Sequence, residues 1–268
     1  MSAMNATKAL RSAVVAAALG FGVATAAVAG RSCEARPTTP ETIASAMALA
    51  ERTAAALDKS GAQVVVIGRA GQDLSAHGIR WSHLGFAYRP APDASWRVVH
   101  KLNHCGAATA TLYRQGLGDF FLDDLWRYEA AIVVLAPEVQ SRLVAALADN
   151  ARISKLDSPA YSMVAYPWST RFQQSNQWAI ETLAMHEHAG AGSREGAQAW
   201  LRLKDYRPAT LRIGSFERVG ARMTTANVSF DDHPNEKRLA GRIETVTVDS
   251  VFTWLERSGL GGRVEIIR

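Results

Sequence analysis

The chain has 268 residues, 48% of them hydrophobic and 21% charged, with a formal net charge of +5. That is enough apolar matter to bury a full core, as one large domain or two small ones. Without Lys8 and Arg11 the balance falls to about +3, too mild to argue for a nucleic-acid partner.

Lys8 and Arg11 precede the apolar run Ser12 to Val28, and Ala27-Val28-Ala29 supplies small residues for a cleavage site. Residues 1–30 therefore read as a secretory signal peptide rather than a membrane anchor, the run being short and Ala-rich. Residues 31–268 are expected as a single exported domain, periplasmic or secreted, with no later stretch apolar enough to span a bilayer. Cys33 and Cys105 are the two cysteines, and an oxidising compartment favours one disulfide between them. A loop of that size is worth about 4 kcal/mol in the chain-entropy model. A free, nucleophilic Cys105 is the alternative.

Thr39-Pro40-Glu41 gives an N-cap, a first-turn proline and an early acid, so a helix is predicted from there to a stop at Gly61. The valine-rich run Gln63 to Gly68 predicts a buried strand, and Arg69 to Arg80 a loop. Strands at 81–88 and 96–103, joined through Pro90-Ala-Pro-Asp93, form a predicted hairpin. A helix is expected from Gly116, a buried strand over 131–135, and an amphipathic helix from Pro137 with Val139, Leu143 and Leu147 on one face. Tyr161 to Tyr166 reads as a strand ended by Pro167. Then come a helix over 176–188, a Gly-rich break and a shorter helix ending near Lys204. Strands at 210–213, 224–230 and 243–248 and a last helix over 249–257 complete the chain. The interleaving without repeat, with a hairpin inside the sheet, predicts an α+β fold: a mixed, largely antiparallel sheet with flanking helices.

The candidate site gathers around the hairpin. In a tight hairpin, His83 faces residue 100 or 101, and cross-strand Cβ atoms lie about 5 Å apart, so His100 would orient the His83 ring. A catalytic base needs such an orienting group. Ser175 stands at the predicted start of the 176–188 helix. Serine there is a preferred N-cap, and the same position would also set a hydroxyl beside free amides that favour an oxyanion. Arg69, Gln72 and Asp73, in the loop before the site strand, either contact substrate or hold the loop. His186-Glu-His188 lacks the i, i+4 spacing of a helical metal pair. Asp231-Asp-His-Pro234 reads as a turn. Asp249 reads as the cap of the last helix. No metal or cofactor is called for.

His83 on one strand, His100 on the next and a polar residue opening a later helix resemble the permuted branch of the papain-like clan. That branch includes NlpC-type cell-wall peptidases and the lecithin–retinol acyltransferase group, and Ser82-His83-Leu84-Gly85 matches its strand motif. Over its length the chain also resembles a secreted bacterial group, domain-of-unknown-function family 2145. The likeness is carried by Gly71-Gln-Asp-Leu, Ser82-His83, Leu102-Asn-His-Cys105-Gly, Ser175-Asn-Gln-Trp178, Asp231-Asp-His-Pro234 and Gly241 through Ser250. The papain-like resemblance implies a permuted papain-like fold and a hydrolase acting on an amide or ester of a cell-envelope component, a peptide-like substrate. Ser175 would be its nucleophile, His83 its base and His100 the orienting group, with Asn176 and Gln177 joining Arg69, Gln72 and Asp73 around substrate. Those relatives carry cysteine where this chain has Ser175. A thiol ionises readily beside histidine and a serine hydroxyl does not. The alternative is an exported binding protein that keeps the fold without the thiol.

Overall fold

The computed structural model describes residues 38–123 and 125–268. The predicted leader and Cys33 lie outside these residues, and with Cys33 one end of the expected disulfide. Helix α1 (Pro40–Ser60) is ended by side-chain and backbone chemistry: the Thr39 hydroxyl accepts from the Thr42 amide, and Gly61 closes at φ 67°.

Strands β1 (Val64–Ala70), β2 (His83–Tyr88), β3 (Arg97–Asn103), β4 (Ala110–Gly116), β5 (Arg127–Val134) and β8 (Glu265–Ile267) form one sheet in the order β4-β3-β2-β1-β5-β8. Every neighbouring pair in it is antiparallel, so the sheet is more uniform than expected. Strands β6 (Ala209–Arg212) and β7 (Arg242–Thr245) make a second, two-stranded sheet. The remaining helices are α2 (Leu117–Phe121), α3 (Pro137–Leu147), α4 (Asn150–Ser154), α5 (Ser175–Glu187), α6 (Arg194–Leu203), α7 (Ser215–Thr224), α8 (Asn235–Leu239) and α9 (Val248–Arg257). The class is α+β.

The differences from the sequence reading have local causes. Strand β4 was not foreseen, because an edge strand that is only partly buried gives a weak apolar signal. Residues 161–166 do not join a ladder. Their amides go elsewhere: Met163 N–H to the Asn227 carbonyl (2.8 Å) and Tyr166 N–H to the Asp232 carboxylate (2.8 Å). Residues 225–230 are likewise not a strand, and the residues before them form α7. Ser162 holds this segment by its side chain, its hydroxyl accepting from Ser229 N–H (3.0 Å) and donating to the Ser229 carbonyl (2.8 Å).

Alternation along the strands sorts the core into two layers. Val64, Val66, Leu84, Phe86, Tyr88 and Val99 face one way, against α3, α5, α6 and α9. Val65, Ile67, Ala87 and Val98 face the other, against α1 and α2. Glycine at 85 is required by the sheet itself. A Cβ there would sit 2.8 Å from the Val99 carbonyl and 2.9 Å from the His100 Cβ. Gly85→Ala should therefore cost about 1–3 kcal/mol through overpacking against backbone. Urea denaturation would measure it, and a variant as stable as the parent would show that β2 and β3 are free to separate there.

Candidate functional site

Strand β2 pairs with β3 at Phe86↔Val99, Ala87↔Val98 and Tyr88↔Arg97. Continuing that register sets Gly85, not His83, across from His100. The two rings nevertheless meet on the diagonal, over the space left by the missing side chain. His83 Nε2 lies 2.8 Å from His100 Nδ1, and His100 Nε2 lies 2.7 Å from Gln115 Oε1. Because an amide oxygen only accepts, His100 carries its proton on Nε2. Its Nδ1 then accepts from His83 Nε2–H. Among the described residues, Nδ1 of His83 takes no hydrogen bond.

The pair is enclosed. His83 is 8% exposed and His100 0%, and Phe120 of α2 packs against both rings. The Arg69 guanidinium stands over Phe120, donating to its carbonyl and to the Asp123 carboxylate. Burial first, then the Arg69 charge, lower both pKa values: His100 to about 4 and His83 well below 6.5. Both rings are neutral at neutral pH.

Ser175 lies on the other side of the sheet. His83, Gly85 and Ala87 point toward α1 and α2, while Leu84, Phe86 and Tyr88 point toward α5. The sequence brings His83 and His100 together as expected, but the backbone of β2 stands between them and Ser175. Ser175 is not the cap of its helix either. Gln174 is, its side chain accepting from Asn176 N–H, and Ser175 is the first helical residue. Ser175 is 5% exposed and lies beside Tyr161.

The other expected contact residues hold the fold. Gly71 and Gln72 donate their amides to the Ser82 hydroxyl (2.8 and 3.2 Å), and Asp73 accepts from Ser75 N–H (3.0 Å) and its hydroxyl (2.6 Å). Asn176 joins two elements: its Oδ1 accepts from Leu84 N–H (3.2 Å) and its Nδ2 donates to the Val246 carbonyl (3.0 Å). Gln177 donates to Glu181 (3.2 Å) and to the Pro167 carbonyl (3.3 Å). Among the described residues there is no free cysteine.

The sequence reading overlooked a buried charge network on the α5 side. Glu181, 0% exposed, pairs with Arg194 Nε at 2.8 Å and accepts from Gln173 (2.6 Å) and Gln198 (2.8 Å). Gln173 Oε1 in turn accepts from Lys101 Nζ at 2.7 Å, and Lys101 pairs with Asp157 at 2.7 Å. Arg194 also donates to the carbonyls of Thr170 (2.8 Å) and Phe172 (2.9 Å), fixing the irregular chain before α5. A signal is present in Gln177 and Glu181, an amide and an acid at i, i+4 along α5, of which only Gln177 was expected at the site, against substrate. The Asp231-Asp-His motif is structural too, His233 lying between Asp232 Oδ1 (3.1 Å) and the Glu244 carbonyl (2.9 Å).

A family model described as "Uncharacterized protein conserved in bacteria (DUF2145)" matches residues 56–255. No curated protein and no solved structure matches the chain. No helix among the described residues is long and apolar enough to cross a membrane.

The neutral histidines make stability depend on pH. The unfolded chain takes up protons near 6.5 while folded His100 does so only near 4. The unfolded state therefore binds more protons in between, and stability falls as pH drops from about 6.5 toward 4. For His100 that difference corresponds to at most about 3 kcal/mol. Urea unfolding at pH 7.5, 6, 5 and 4.5 should show the decline, and His100→Asn should flatten it. An unchanged slope in that variant would mean that other groups set the acid limb.

Proposed function

We propose that this chain, which belongs to the bacterial family of uncharacterised proteins matched over residues 56–255, is an exported protein that binds a cell-envelope component without cleaving it. The observation that carries this reading is the separation of Ser175 from His83 by the sheet. A serine hydroxyl must pass its proton to a base as it attacks. No imidazole is a hydrogen-bond partner of Ser175 among the described residues, and its neighbour is Tyr161. The helix start that would stabilise an oxyanion is buried from Ser175 through Ala184. A permuted papain-like arrangement needs its base on the face that packs on the nucleophile's helix, and in β2 that face carries Leu84, Phe86 and Tyr88.

Export rests on Lys8, Arg11 and the apolar run that follows, and the Cys33–Cys105 disulfide rests on the same compartment. In this reading the histidine pair and the α5 network are internal supports. The competing reading is an amide or ester hydrolase using Ser175, His83 and His100.

The two readings separate on Ser175→Cys. The new thiol, followed by alkylation rate against pH, should titrate no lower than the reference of about 8.5, and His83→Ala should leave its profile unchanged. A thiol well below that value that rises when His83 is removed would put the two groups in one site and restore the hydrolase.

A further inference from the structure

A cleft of about 320 Å³ opens between the turn His77–Ile79, β6 and α9, and neither His83, His100 nor Ser175 lines it. That volume lies at the small end of ligand sites. Ile79, Leu211 and Trp254 are among its lining residues and supply apolar surface. Its lining also carries both signs of charge, Arg207 and Arg257 against Asp249. Arg207 and Arg257 stand together, held by Asp205: Arg207 Nε and Nη2 reach its carboxylate at 3.1 and 2.9 Å, and Arg257 Nη2 is 3.5 Å away. The remaining guanidinium N–H groups, Nη1 of Arg207 among them, are left for a further acceptor.

Asp249 stands in the first turn of α9. Its carboxylate lies against the backbone amides of Arg80 and Trp81, yet Oδ2 is shut from water and has no hydrogen-bond partner among the described residues. Burial pushes its pKa up, the mark of an acid with too little compensation. An orphaned buried acceptor costs about 1–3 kcal/mol, and Asp249 is the one acidic residue among those lining the cleft. Asp249 and Arg257 are eight positions apart on one helix, about 12 Å. A dipeptide, roughly 7 Å between its charged ends, fits that span once an arginine side chain reaches inward.

We propose that this cleft binds a short zwitterionic peptide of dipeptide size, its ammonium at Asp249 and its carboxylate at Arg207 and Arg257. This gives the binding reading its ligand class and rests on that reading.

The test is calorimetric titration of the full mature chain with L-alanyl-L-alanine, beside its N-acetylated and C-amidated forms. Saturable binding is expected for the free dipeptide, weakened at least about tenfold by either block. Asp249→Asn should weaken it to a similar degree. Because Asp249 is also partly buried in the first turn of α9, Thr210→Trp, an exposed cleft residue, serves as the second variant and should abolish binding by filling the space. No saturable heat with the parent protein, or binding untouched by the blocks and by Thr210→Trp, would overturn the proposal. Cleavage of the dipeptide, read by chromatography after the titration, would count against the non-catalytic reading. Loss of that cleavage in Thr210→Trp would still assign the peptide to the cleft.

Discussion

The two-residue period of β2 is the constraint on which the rest depends. In a sheet with helices on both faces, moving one position along a strand carries a side chain into the other layer. His83 thereby joins His100, Arg69 and Phe120 beneath α1 and α2, while Leu84 packs under α5. No adjustment of rotamers returns the imidazole to the α5 side. A site that looks continuous in the sequence is divided by the backbone of the sheet.

On the α5 side, charge takes the place that catalysis would need. Helix α5 is buried on all sides through Ala184, so its polar residues find partners inside the protein or remain unsatisfied. Glu181 resolves this with Arg194, Gln173 and Gln198, and Lys101 with Asp157 and Gln173. Removing one member of such a network leaves the others as uncompensated buried charges, which is far costlier than the net worth of any one pair. These contacts give the irregular segment between α4 and α5 a fixed shape without a strand or helix of its own.

The motifs that carry the family likeness converge on one structural joint. Gln174 donates to Thr245 Oγ1 (2.7 Å) and the Val246 carbonyl (2.8 Å), and Asn176 links Val246 to Leu84. Asp249 lies against the amides of Arg80 and Trp81, and the Thr247–Ser250 capping box starts α9 beside it. The start of β2, the start of α5 and the passage from β7 to α9 are thus tied by side chains that recognise backbone. The proposed peptide cleft opens on the outer side of the same joint, so an occupant there would bear on the segment that leads into His83.

Local chemistry made much of this legible in the sequence. The Thr39-Pro40 start and Gly61 stop of α1, the valine run of β1, the Pro137 helix and the terminal helix each follow from caps, prolines and apolar period within a few residues. The meeting of His83 with His100 was legible too, because hairpin neighbours are near in sequence. Edge strands β4 and β8 were not, since half-exposed strands lack a strong apolar signal. Nor was the burial of α5, whose polar residues look solvated until Arg194 and Lys101 are brought to them from other elements. The position of Ser175 relative to His83 belongs to neither segment alone. It depends on which face of the sheet α5 packs against, and that choice is made by the matching of two apolar surfaces far apart in the chain. The sequence by itself determined the elements and the histidine pair; only the tertiary packing decided that the serine and the histidines stand on opposite sides of the sheet.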